Sequence, residues 1–106
     1  MKNLIRVTLV VLSFALVFTT WGSAQSAADL FKSKCAVCHG PDGKGETAMG
    51  KNLKLKDLAS EEAQKQTDAD MKGLINKGKG KMQPYEGKLT PEQIDSLVKH
   101  VRSLKK

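Results

Sequence analysis

Apolar side chains recur at helical spacing in four stretches of the chain, and no stretch alternates convincingly as a half-buried strand would. The clearest stripe occupies relative positions 0, 3, 4, 7 and 10 with Ile94, Leu97, Val98, Val101 and Leu104. Thr90 precedes this stripe as an N-cap, Pro91 takes the first helical position, and Gln93 completes a capping-box pattern. The pattern predicts an amphipathic helix at the C-terminus.

Weaker signals of the same kind predict three earlier helices. Each follows a hydroxyl residue suited to an N-cap, namely Ser26, Ser60 and Thr67. The first helix runs into the Gly-Pro-Asp-Gly breaker at 40–43, and the third ends at Gly78. Residues 40–56 and 79–85 are predicted as loops because of their glycine, lysine and proline content. The predicted fold is therefore all-α, with about four short helices.

The N-terminal segment, residues 1–24, has the pattern of a secretory signal peptide. Lys2 and Arg6 precede an apolar run of about 12 residues, and small residues at 22–24 provide a cleavage site. That run is shorter than the ~20 residues that span a bilayer, although an uncleaved membrane anchor is the alternative. We expect residues 25–106 to form one exported, periplasmic domain with no stable membrane insertion after processing.

The sequence Cys35-Ala36-Val37-Cys38-His39 contains both cysteines and one of the two histidines of the chain. C-x-x-C-H is the signature of covalent c-type haem attachment. On a helix, positions i, i+3 and i+4 lie on one face, so Cys35, Cys38 and His39 can meet one side of a porphyrin. The motif predicts thioether bonds from both thiols and a proximal iron ligand at His39, with one haem c per chain.

Other uses of this motif are less consistent with the rest of the chain. A thioredoxin-like redox pair expects a βαβ pattern, which the sequence lacks. A structural zinc site expects four ligands, and the remaining histidine, His100, stands far away without a ligand pattern. A plain disulfide needs no histidine and closes too small a loop to stabilise the chain much. His100 is interpreted as a packed or solvated residue.

Size and charge agree with a haem protein. Residues 25–106 form a small domain with only two aromatic residues, Phe31 and Tyr85, so we expect the haem to supply part of the core. The full chain has a net charge of +7; without Lys2 and Arg6, 16 basic residues face 11 acidic ones, which leaves about +5. This balance favours acidic redox partners. Nucleic acid is not expected as a partner, because basic and aromatic residues are not interleaved.

A haem bound through His39 leaves one axial position, for which methionine is one possible ligand. Met71 belongs to an apolar helical stripe, whereas Met49 and Met82 are predicted to lie in loops. Met82 follows His39 by 43 residues, which is enough chain to return on the far side of a haem. The alternative is that Met82 packs in the core and the sixth position is open.

The chain resembles the class I cytochromes c, especially small bacterial periplasmic members, over nearly all of residues 27–106. The resemblance rests on the haem-attachment motif followed by Gly40 and on four further segments: Asp42-Gly43-Lys44-Gly45, Gly50-Lys51-Asn52-Leu53, Gly78-Lys79-Gly80-Lys81-Met82 and Leu89-Thr90. It implies a cytochrome c fold and identifies Met82 as the distal iron ligand. Leu53 and Tyr85 are predicted to pack against the haem, although packing in the protein core would explain these two residues equally well.

Two positions depart from the family pattern. Many relatives have proline where Lys51 stands, at a carbonyl that accepts a hydrogen bond from the proximal histidine. Relatives also often place proline directly after the ligand methionine, whereas here Gln83 comes before Pro84. The second departure predicts a less rigid loop around Met82.

These features together predict a monomeric, soluble one-electron carrier rather than an enzyme. Methionine and histidine ligands leave no vacant iron position for a substrate. Lys77, Lys79, Lys81 and Lys88 are candidates for a basic rim where partners dock, although they also suit a merely solubilising surface. The alternatives are a five-coordinate haem protein that binds a gas or peroxide, and a cytochrome subunit of a larger redox enzyme.

Overall fold

The computed structural model describes residues 26–105, and the predicted signal peptide lies outside them. The described part contains six helices: α1 (Ala27–Lys34), α2 (Ala36–His39), α3 (Ala48–Asn52), α4 (Glu61–Gln64), α5 (Asp68–Lys77) and α6 (Pro91–Ser103). Residues 26–105 contain no strand, only isolated bridges that pair Lys79 with Met82 and Glu86 with Leu89. The all-α prediction is confirmed. No helix within these residues has the length and apolar character needed to cross a membrane.

The predicted helix starts are confirmed at atomic detail. The hydroxyl of Ser26 accepts a hydrogen bond from the amide of Asp29, and Ser60 and Thr67 cap α4 and α5 in the same way. At α6 the Thr90 capping box is complete, because the Gln93 side chain also accepts from the Thr90 amide at 2.8 Å. Local sequence therefore decides where these helices begin.

Two predictions about the first half of the chain were wrong. The first predicted helix is two helices, because the backbone departs from helical geometry at Cys35, where φ is −114°. The predicted loop at 40–56 contains α3, so Met49 lies in a helix. Thr47 caps α3 by accepting from the Gly50 amide at 2.9 Å. The sequence did not predict this helix because it contains Gly50, and glycine has a low intrinsic helix propensity.

The core forms where α1 packs against α6. Leu30 and Phe31 from α1 and Leu97 from α6 are each at most 2% exposed. The Phe31 ring also contacts the His100 imidazole, with ring centroids 4.8 Å apart and an interplanar angle of 42°. His100 thus packs between the helices, as the sequence suggested, although its buried Nε2 has no hydrogen-bond partner among the described residues.

The α4–α5 corner is fastened to the end of α6 by two side chains. The Gln64 amide nitrogen donates to the carbonyl of Leu58 at 2.8 Å and to that of Val101 at 3.0 Å. Arg102 donates to the Gln64 carbonyl at 2.6 Å and forms an ion pair with Asp68 at 3.0 Å. These bonds fix α4 and the start of α5 against the end of α6.

Candidate haem-binding site

The attachment motif forms one compact turn at the surface of the core. The His39 amide donates to the Cys35 carbonyl at 2.9 Å, and the Cys38 amide donates to the same carbonyl at 3.2 Å. Gly40 then ends α2 with φ of +81°, a conformation that residues with a Cβ rarely adopt. Both thiols are half-buried and unbridged. The turn therefore gathers the three predicted attachment groups on one short segment.

Two clefts adjoin this turn. The first, about 660 Å³, is lined mainly by apolar side chains from α1, α5 and α6, with Leu58 and Ala63 from the α4 region. The second, about 1210 Å³, opens toward the surface past the exposed side chain of Val37, which is 71% exposed. Four residues line both clefts: Cys35, His39, Leu74 and Met82. The predicted iron ligands, 43 residues apart in sequence, thus border the same space.

Burial sets the protonation state of the motif. Desolvation, with a smaller contribution from the neighbouring Cys38, raises the pKa of the Cys35 thiol to about 11, so this thiol is neutral near pH 7. Burial also lowers the pKa of His39, which favours the neutral imidazole that binds a metal. The buried Nδ1 of His39 has no hydrogen-bond partner among the described residues. A neutral imidazole beside an apolar cleft, with two thiols on the same turn, fits a covalently attached haem.

Helix α3 supports the turn from behind. The Thr47 hydroxyl donates to the Cys38 carbonyl at 2.7 Å. An alanine Cβ at position 50 would lie 2.5 Å from that carbonyl oxygen and closer still to the Gly45 carbonyl oxygen, so only glycine fits there. The Lys51 carbonyl accepts from the Lys54 amide at 3.2 Å. The bond between this carbonyl and His39 that the family resemblance implies is not formed in the structure.

Met82 lies at the end of a tight turn. The amide and carbonyl of Lys79 exchange hydrogen bonds with those of Met82 at 3.1 and 2.9 Å, and Gly80 between them has φ of +57°. Met82 is half-buried, whereas Met49 is 48% exposed and lines neither cleft. Met71 is 7% exposed and lines the first cleft, so its predicted role in packing is confirmed.

Leu53 and Tyr85, the predicted haem-packing residues, both line the second cleft, and Tyr85 is buried. Sequence reasoning did not identify several other lining residues: Leu55, Leu58, Ala63, Gln66 and Val98. The first four lie in or beside segments without a strong periodic pattern. Their only signal was isolated apolar or amide side chains in polar surroundings, which does not distinguish a cleft wall from a loop.

Three lysines border the second cleft: Lys34, Lys79 and Lys81. The four ion pairs within residues 26–105 involve other basic residues: Lys56–Glu62, Lys65–Glu61, Lys72–Asp95 and Arg102–Asp68. The lysines at the cleft therefore carry positive charge that no salt bridge in the described part compensates. Lys77 and Lys88, the other members of the predicted basic rim, do not line the cleft.

Comparison with known proteins assigns the family. The sequence model of the protein family described as cytochrome c oxidase, cbb3-type, subunit III matches residues 22–101. A cytochrome c6 from Nostoc sp. is 32% identical over 109 residues, which cover 89% of this chain and 87% of that protein. The chain belongs to the cytochrome c family. A solved c-type cytochrome, KustC0563, has 37% identity and a TM-score of 0.71, and it covers 77% of this chain and 100% of its own.

Membership of this family settles the cofactor. Cytochromes c carry covalently bound haem c, one haem fits a chain of this size, and electron transfer is the family's role.

Another relative, the CcoP subunit of a cbb3-type cytochrome c oxidase from Rubrivivax gelatinosus, is 42% identical over 84 residues. Those residues cover 76% of this chain but only 27% of CcoP, so the chain spans about a quarter of that relative.

Proposed function

We propose that this cytochrome c is a soluble periplasmic one-electron carrier whose haem iron has histidine and methionine ligands. Cys35 and Cys38 would form the two thioethers. His39 would be the proximal ligand and Met82 the distal ligand. The observation that carries the proposal is that Cys35, His39 and Met82 line both clefts, although Met82 comes from a distant part of the chain.

The bound haem supplies an iron that alternates between the ferrous and ferric states. Each side chain in the site has a separate part in this chemistry. The neutral His39 imidazole suits iron in either state, and the thioether of Met82, a neutral soft ligand, raises the reduction potential. Apolar side chains such as Leu74 and Val98 line the first cleft. With both axial positions filled, the proposed activity is electron transfer to a partner without a bound substrate.

The second cleft is the proposed docking face. Val37 contributes an exposed apolar side chain to its lining, and Lys34, Lys79 and Lys81 contribute positive charge that no salt bridge of the described residues compensates. Such a field increases the encounter rate with acidic partners, while a small contact permits rapid release. We expect the partners to be redox proteins with acidic surfaces.

The ligand assignment is tested by the absorption spectrum of the haem-loaded protein. We expect a far-red sulfur-to-iron band in the ferric form and no reaction of the ferrous form with carbon monoxide. Met82→Ala is expected to abolish the band, permit carbon monoxide binding and lower the potential. Met49→Ala is the matched control and is expected to change none of these. Rapid carbon monoxide binding by the native protein would instead support the five-coordinate alternative.

The docking face is tested with small charged oxidants. Lys79→Glu combined with Lys81→Glu is expected to slow oxidation by anionic hexacyanoferrate(III) and to weaken its dependence on salt. Lys65→Glu combined with Lys99→Glu makes the same change in net charge at two lysines outside the cleft lining and serves as the control. Equal slowing by the control would mean that net charge alone matters.

Mass spectrometry of the exported protein tests the proposed cleavage after residue 24.

The relationship to CcoP favours a second candidate, in which the chain is a haem subunit of a larger redox complex. Gel filtration of a mild extract from cells that express the chain separates the two possibilities. A free carrier elutes as a small monomer, whereas a subunit elutes with its complex and is released only by dissociating conditions.

A further inference from the structure

A continuous chain of three hydrogen bonds links the Met82 loop to the segment just before the haem-attachment motif. The Tyr85 hydroxyl donates to the Lys34 carbonyl at 3.1 Å. The Gln83 amide nitrogen donates to the Tyr85 hydroxyl oxygen at 3.2 Å. The Lys88 ammonium group donates to the Gln83 amide oxygen at 3.2 Å. The carbonyl at the end of this chain directly precedes Cys35.

The donors and acceptors in this chain are mutually consistent. An ammonium group can only donate, so it requires the oxygen of the Gln83 amide. That orientation turns the amide nitrogen toward Tyr85, whose hydroxyl then has its own hydrogen free for the Lys34 carbonyl. Each bond therefore polarises the next in the same direction, which strengthens the chain as a whole.

Burial indicates which link matters most. Tyr85 is 8% exposed, and its amide donates to the Ile75 carbonyl at 2.9 Å, so both its backbone and its ring are fixed. Gln83 and Lys88 are exposed, so water competes for the bond between them, whereas the bond from Gln83 to Tyr85 is partly buried. The bond from Tyr85 to Lys34 joins positions 51 residues apart and is partly buried.

We propose that Tyr85 and Gln83 are positioning residues that hold the Met82 loop against the haem-attachment segment. This inference rests on the proposed role of Met82 as the distal ligand. Met82 stands one residue before Gln83 and three before Tyr85. The hydrogen bonds of Gln83 and Tyr85, called the anchor below, therefore limit how far the Met82 thioether can move away from the cleft. Loss of the anchor makes the ligand easier to displace without removing it.

Competition by imidazole for the iron of the ferric, haem-loaded protein measures this restraint. Loss of the far-red band reports displacement of the methionine. Tyr85→Phe keeps the ring and removes both hydrogen bonds of the hydroxyl, which is expected to raise the apparent imidazole affinity about fivefold. Gln83→Ala is expected to raise it about twofold, since the Gln83 residue is exposed and water can replace part of the bond that it donates to Tyr85. The double variant is expected to show less than the product of the two effects, because the residues share one chain of bonds.

Ser26→Ala is the control, because it removes the α1 cap at the far end of that helix and touches neither the loop nor the clefts. The inference is overturned if Tyr85→Phe and Gln83→Ala change imidazole affinity no more than this control does. Gln83→Ala, at an exposed position, keeps the test decisive if Tyr85→Phe folds poorly. A native protein without a far-red band would instead refute methionine ligation itself, and the two failures are thereby distinguished.

Discussion

Replacing Gly50 by alanine is expected to disturb the haem-attachment turn through the backbone alone. The new Cβ would lie 2.5 Å from the Cys38 carbonyl oxygen and 2.8 Å from the Gly45 carbonyl carbon, whereas real Cβ atoms essentially never come within 3.0 Å. Both obstacles are backbone atoms, which cannot swing aside as a side chain can. Overpacking of this kind costs about 3 kcal/mol, which corresponds to a melting temperature about 15 °C lower for a domain of this size.

Gly73→Ala is a matched control within the same chain. Gly73 also lies in a helix, α5, but apart from its chain neighbours and the backbone of its own helix no heavy atom of the described residues stands within 4 Å of the position its Cβ would occupy. Alanine there is expected to stabilise the protein by about 0.5–1 kcal/mol, because glycine disfavours helix interiors. The same substitution is thus predicted to have opposite signs at the two positions.

Guanidinium unfolding of the haem-loaded variants, followed by circular dichroism, measures both effects. The far-red band adds a local readout, since the Cys38 carbonyl that Gly50 faces directly precedes His39. We expect Gly50→Ala to weaken this band at denaturant concentrations where Gly73→Ala leaves it intact. Similar unfolding midpoints for the two variants would refute the reasoning, because the contact between α2 and α3 would then be loose.

Two further predictions concern the backbone and the cofactor. Lys54 has φ of +56°, so Lys54→Gly is expected to stabilise the protein by about 0.5 kcal/mol in urea unfolding; a lower midpoint would contradict this. The double variant Cys35→Ala/Cys38→Ala, produced without haem, is expected to be largely unfolded by circular dichroism, and a native-like spectrum would show that the chain needs no cofactor.

Helix α6 shows how much of the fold local sequence specifies. Its apolar stripe, its capping box and its proline all act within one or two turns, so no distant contact was needed to predict it. The caps at Ser26 and Thr67 were equally readable. Helix α3 was not predicted because Gly50 is an unfavourable helix residue. Its lack of a side chain is required by the close approach of the Gly45 and Cys38 backbone, which the local sequence does not reveal.

The site divides in the same way. The order of the residues alone was sufficient to predict haem attachment at Cys35 and Cys38, because the thiols and His39 belong to one turn. The family pattern placed a loop methionine at Met82, but the absence of proline after it predicted a less rigid loop. The structure shows an anchor of another kind, in which the Gln83 side chain bonds to Tyr85.

The sequence by itself determined the four capped helix starts, the cofactor chemistry and the excess of positive charge, since each depends on residue types at short spacing. Only the tertiary structure decided which lysines border the cleft, which glycine no other residue can replace, and how Tyr85 reaches Lys34. Such relations join segments far apart in the chain. Their geometry follows from how α1, α3 and α6 pack together, and no local pattern records that packing.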